Sequence, residues 1–212
     1  MRYSKGHREE TRARIVEIAS RLFQEKGVDR VGVDEIMREA GLTHGGFYVH
    51  FTNKAQLIAE ACALAVDERA DEWKESLRGL PPEEAFAAFL DGYIECAGKG
   101  DCPFASLGAE VARQAPEVRK AYTKKVEELV TFMTEELACG REEALLALVA
   151  VSGAINVANA SSDPDFSREI IATTRRNLVQ LWRARCAPKL KDAKAAVKAR
   201  KPARGRAAAV AR

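Results

Sequence analysis

VDEIMREAGLTHGGFYVHF, residues 33–51, holds two short stretches of helical periodicity, Val33 to Ala40 and Thr43 to Phe51, separated only by Gly41 and Leu42. That is helix-turn-helix spacing. Phe47 and Phe51, four apart, share one helix face and return the second stretch to a core, so Thr43, His44, Tyr48 and His50 turn outward. A small, polar and aromatic face of this kind suits a nucleic acid groove. Gly45 and Gly46 sharpen the reading, because each glycine inside a helix costs about 1 kcal/mol relative to Ala. Backbone N–H groups brought against phosphate or base edges would offset that cost; a plain loop between core helices is the alternative. The Tyr48 hydroxyl can donate to a phosphate, and Lys54 can place a cation beside the next helix start.

Working outward, residues 11–26 carry Ile15, Ile18, Ala19, Leu22 and Phe23 on one stripe, and Gly27 suits the left-handed residue that ends a helix. The expected small core is Ile15, Leu22, Phe23, Ile36, Leu42, Phe47 and Phe51. Downstream, a long helix from about Asn53 to Arg78 opens on Asn53 with Gln56 three residues on. It stops at Gly79 and the Pro81-Pro82 pair. Five further helical segments follow, at about 83–97, 103–114, 117–138, 141–160 and 166–186, separated by glycines and prolines. Nothing shows sustained period-2 alternation. The expected fold is all-α, with an N-terminal three-helix helix-turn-helix domain over 1–55 and a helical domain over 56–188. A tail over 189–212 is rich in Ala, Lys and Arg, and is too poor in large apolar side chains to repay its ordering entropy.

TRARIVEIASRLFQEKGVDRVGVDEIMREAGLTHGGFYVHFTNKAQL, residues 11–57, resembles without a gap the N-terminal domain of the TetR/AcrR family of bacterial transcriptional regulators. The resemblance is carried by three pieces in register: the stripe ending in LFxxxG at Leu22 to Gly27, the EIMREAGLT turn, and GGFYVHFTNK at Gly45 to Lys54. It implies a homodimeric repressor that sets one recognition helix in each major groove of a palindromic double-stranded operator. It also implies a C-terminal effector-binding and dimerisation domain whose small-molecule ligand relieves repression. Thr43, His44, Gly45 and Gly46 fall where the family contacts bases and adjacent backbone. Tyr48, His50 and Lys54 fall where it contacts phosphate, and Thr11 where the start of the first helix can do so. Gly32 departs from the usual Ser or Thr cap of the second helix, at a cost of a few tenths of a kcal/mol.

In the second domain Phe86, Phe89, Tyr93, Phe104, Tyr122 and Phe132 could line an apolar effector cavity, or simply pack the core. Cys102 precedes Pro103 at a helix start, where a thiolate gains stability, so it is a candidate electrophile or redox sensor. The surrounding stretch resembles an oxidant-responsive branch of the same family. Segments 141–160 and 166–186 are candidates for a four-helix dimer interface.

No histidine lies beyond His50, which removes Ser/His/Asp and Cys/His constellations; no enzyme activity, metal or cofactor is expected. Five cysteines without a CxxC pair, no apolar leader and no apolar run near membrane length point to the cytoplasm, with no membrane partner. The chain's net charge of +3 hides an uneven distribution: residues 189–212 hold nine Lys/Arg against one Asp. Such a tail adds salt-dependent, sequence-independent affinity for DNA. The alternative function is accordingly an architectural DNA-binding protein driven by that tail and sensing nothing.

Overall fold

A computed structural model describes residues 5–98 and 103–186. Among them all regular structure is helical: α1 (Lys5–Lys26), α2 (Val33–Glu39), a 3₁₀ turn (His44–Gly46), α3 (Phe47–His50), α4 (Lys54–Leu77), α5 (Pro82–Gly98), α6 (Pro103–Val111), α7 (Pro116–Glu136), α8 (Arg141–Ala160) and α9 (Pro164–Arg185). The all-α expectation holds.

Helix ends follow local chemistry. Gly27 closes α1 at φ +86°, donating to the Phe23 carbonyl at 2.9 Å. After α2, Gly41 at φ +71° completes a double cap, with Leu42 N–H to Met37 O at 2.8 Å and Gly41 N–H to Arg38 O at 3.0 Å. Asn53 Oδ1 accepts the Gln56 N–H at 2.8 Å, while Gln56 Oε1 reaches back to the Thr52 N–H at 2.9 Å. This is the expected capping box, its return bond landing one residue early. Gly32 caps α2 without a side-chain bond.

Two features differ from periodicity alone. The first helix is already formed at Lys5 rather than near Thr11, because the Lys, Arg and Glu of KGHREE favour helix but no apolar stripe reveals it. Thr11 therefore lies inside α1, its hydroxyl donating to the His7 carbonyl at 2.8 Å. Residues 43–51 are not one α-helix but a 3₁₀ turn running into four α-helical residues, since Gly45 and Gly46 are weak α formers.

The described residues build two apolar cores. The first gathers Ile15, Leu22, Phe23, Ile36, Phe47 and Phe51 with Leu57, Ile58, Ala61 and Cys62 of α4, and borrows Leu107 and Val111 of α6 and Val118 of α7; Leu42 packs at its edge. The second joins Val66, Trp73 and Leu77 of α4 to α5, α7, α8 and α9. Helix α4 thus passes from one core into the other between Cys62 and Val66. Helix α8 is long and apolar enough to cross a membrane, yet its Ala144, Ala147, Leu148, Val151 and Ile155 face is buried in the second core.

Candidate nucleic-acid interface

The turn and short helix that follow Gly41 present most of the expected contact residues on one exposed edge. Thr43, His44 and Gly45 are exposed, Tyr48 is 65% exposed and Val49 53% exposed, while Phe47 and Phe51 are buried beneath them. The two phenylalanines stack at 5.4 Å and Tyr48 meets Phe47 edge-on at 5.3 Å. The aromatic pair anchors the element so that Tyr48 can project.

A Cβ built on Gly45 meets nothing within 4 Å, and one on Gly46 meets only Met37 Cε at 3.6 Å and Thr43 Oγ1 at 3.8 Å, ordinary contact distances. Gly46 has φ −64°, a helical value open to any residue. Neither packing nor backbone conformation among the described residues requires glycine at 45 or 46.

His44 Nδ1 pairs with Asp34 on the first turn of α2, tying the turn to the preceding helix. His50 is half-buried and its Nδ1 is buried with no hydrogen-bond partner among the described residues. Burial, followed by the nearby charges of Arg8 and Arg12, pushes its pKa below the usual 6.5, so the ring is neutral near pH 7. Lys54 is half-buried and donates to the Val28 carbonyl at 3.0 Å, which leaves two of its three N–H groups for other acceptors. Thr11 is half-buried on α1.

The residues expected at an effector site are placed differently. Phe86, Phe89, Tyr93 and Phe132 are buried in the second core. Phe86 stacks on Trp182 at 5.6 Å, Tyr93 on Trp73 at 5.5 Å, and Phe89 lies 6.3 Å from Phe132. Phe132 also lines a surface cleft of about 330 Å³ beside Lys74, Leu77, Leu80 and Glu136. Tyr122 stands apart, packed against both cores. Of Phe104 only the backbone is described, and Cys102 and the basic tail lie outside the described residues.

Sequence reading missed the seam between α6 and the α1–α2 loop. Glu110 Oε2 accepts the Val28 N–H at 2.6 Å, and a Cβ on Gly27 would sit 2.7 Å from Glu110 Oε1. Gln114 donates to Asp29 at 2.8 Å. A lone glutamate 82 residues away carries no local signal for such a bond.

These features define a two-domain, all-α helix-turn-helix protein. Residues 15–61 match the family described as bacterial regulatory proteins, tetR family. The uncharacterised HTH-type transcriptional regulator YerO of Bacillus subtilis is 36% identical over 89 residues, 41% of this chain and 31% of that protein. The HTH-type transcriptional regulator AcrR of Shigella flexneri is 39% identical over 83 residues, 38% and 39% respectively. The chain therefore spans about a third of the length of these relatives. Beyond that segment the likeness is one of fold. A TetR transcriptional regulator from Chloroflexus aurantiacus superposes with a TM-score of 0.69 at 22% identity, over 84% of this chain and 97% of the other. The reduced form of NemR from E. coli does so with 0.69 at 16% identity, over 80% and 95%. Residues 15–61 thus carry the likeness to the tetR family, and the rest of the described chain shares the fold of these neighbours.

Proposed function

We propose that the protein is a DNA-binding transcriptional regulator, a homodimeric repressor of a palindromic operator that releases DNA when a small molecule binds or when Cys102 is modified. The observation that carries the reading is the exposed 3₁₀ turn with Gly45 and Gly46, whose missing side chains serve nothing among the described residues. A backbone that must approach a phosphate or base edge gives the missing side chains a use. Thr43, His44, Gly45 and Gly46 are assigned to bases and adjacent backbone, and Tyr48, His50, Lys54 and Thr11 to phosphates.

Dimerisation is supported by the outer face of α8 and α9, where Leu145, Leu146, Val149, Val157 and Phe166 are all more than a third exposed. Two copies pairing these faces form a four-helix bundle. The effector enters among Phe86, Phe89, Tyr93, Phe104, Tyr122 and Phe132 by parting helices that are closed in this state. The name of the structural neighbour NemR specifies a reduced form, which lends support to a redox role for Cys102. Residues 1–55 form the DNA-reading unit, 56–188 the sensing and dimerising unit, and 189–212 a basic tail; the setting is the cytoplasm, and no catalysis is assigned.

The test is a titration against DNA from immediately upstream of the protein's own gene, with excess random competitor at about 150 mM salt. Full-length protein is compared with a chain ending at Pro188. Protection of one short palindrome by both supports the specific regulator. Binding by the full-length chain alone, without sequence preference, would replace it with the tail-driven architectural reading.

A further inference from the structure

The α3 helix has only four residues, Phe47–His50, so its last carbonyls find no partner within it. Two arginines one turn apart on α1 supply them. Arg8 donates to the Val49 carbonyl, and Arg12 Nε donates to the His50 carbonyl at 3.3 Å. Arg12 then extends beyond α3. Its Nη2 and Nη1 meet Glu60 Oε1 and Oε2 of α4, each at 2.5 Å, a bidentate pair. Its guanidinium also lies 4.6 Å over the Phe51 ring. Glu60 in turn accepts from Gln56 Nε2 at 3.1 Å, and Gln56 holds the Thr52 N–H and the Asn53 cap. A closed ring of bonds thus joins α1, the end of α3, and the first two turns of α4.

We propose that Arg12, oriented by Glu60, is a positioning residue for sequence readout. It sets the angle of α3 against α4 without itself binding DNA. The physical ground is the use of its donors: one N–H on each Nη goes to Glu60 and the Nε–H to the His50 carbonyl, so three of its five N–H groups hold this joint. A lysine at 12 could satisfy one of these partners but not span both, since the guanidinium fork is planar and fixed whereas an ammonium is a point donor. The inference rests on the DNA-binding reading above.

The test uses the full-length protein and two probes: a duplex selected by the wild type from a random-sequence library, and an unselected random duplex. Arg12→Lys and Glu60→Gln should each lose about ten-fold or more on the selected duplex, comparable to one charged hydrogen bond. For Arg12→Lys, affinity for the random duplex and the salt slope should stay unchanged. Glu60→Gln is the decisive variant, because it removes a negative charge near DNA, and electrostatics alone would tighten binding to both duplexes. Tighter binding of the selected duplex by Glu60→Gln overturns the proposal. So does wild-type behaviour of Arg12→Lys with a salt slope lowered by about one in Arg12→Gln, the signature of a direct phosphate contact. If Arg12 variants melt below the assay temperature, Glu60→Gln alone decides; a lowered Tm with an unaltered ratio between the two probes assigns the ring to fold stability only. Failure of the wild type to select any sequence would remove the DNA-binding reading itself, an outcome distinct from these.

Discussion

At the scale of single residues, glycines of one stretch separate into two kinds. Gly41, at φ +71°, holds a left-handed turn, so Gly41→Ala should destabilise the fold by about 1 kcal/mol or more, seen as a lower denaturant midpoint. Gly45 has no such duty, so Gly45→Ala should leave unfolding unchanged or slightly improved while operator affinity falls. Equal DNA binding by Gly45→Ala would remove the argument that its bareness serves DNA. His50 gives a pH dependence whose sign is fixed. Its folded pKa lies below 6.5, so between those values the unfolded chain binds more protons. Its contribution to stability is complete above about pH 6.5 and is lost as pH falls through the folded pKa. His50→Gln should flatten the slope of Tm against pH in that window. Cys62 and Cys139 are buried, with thiol pKa values pushed up to about 12, and Cys139 donates to the Met133 carbonyl. Native protein treated with iodoacetamide at about pH 8 should leave both unlabelled until denatured, as mass spectrometry would read.

At the scale of elements, legibility followed the range of the interaction. Ends of α2 and α4 were readable because Gly41, Asn53 and Gln56 act within a few residues of themselves. Phe47 and Phe51 declared their buried face through four-residue spacing. The start of α1 was not readable, because Lys5 to Glu10 contribute propensity and charge without an apolar stripe. The Arg12–Glu60 pair and the Glu110–Val28 bond were also invisible, being contacts that only tertiary packing creates. Glu110→Ala should strip the Val28 N–H of its acceptor and cost about 1–3 kcal/mol, the penalty for an unsatisfied buried donor. An unchanged Tm would mean that water takes its place. The expected aromatic cavity illustrates the opposite limit: sequence identifies which side chains are apolar, not whether helices close over them. In this structure Phe86 and Tyr93 lie against tryptophan rings.

At the scale of the whole molecule, the apolar outer face of α8 and α9 makes a prediction about mass. Val149 is 68% exposed, on a face too apolar for a comfortable solvent boundary. Val149→Glu should convert a dimer to a monomer in sedimentation, with helical circular dichroism retained. A wild type that sediments as a monomer would contradict the assembly. The order of helices and the existence of two parts were legible from the spacing of glycines and prolines. The way the parts share residues was not, since Leu107, Val111 and Val118 come from beyond the long helix to fill the first core.

Helix α4 has a further consequence, because its 24 residues run unbroken through both cores. Amide hydrogens of Leu57 and Trp73 belong to one ladder of backbone bonds, so opening either half exposes the other to fraying. Slow exchange in the two halves should rise and fall together as denaturant is added. A molecule occupying only the distal half would then slow the exchange of amides near Phe51, and protection could be followed at the α3 end with no DNA present.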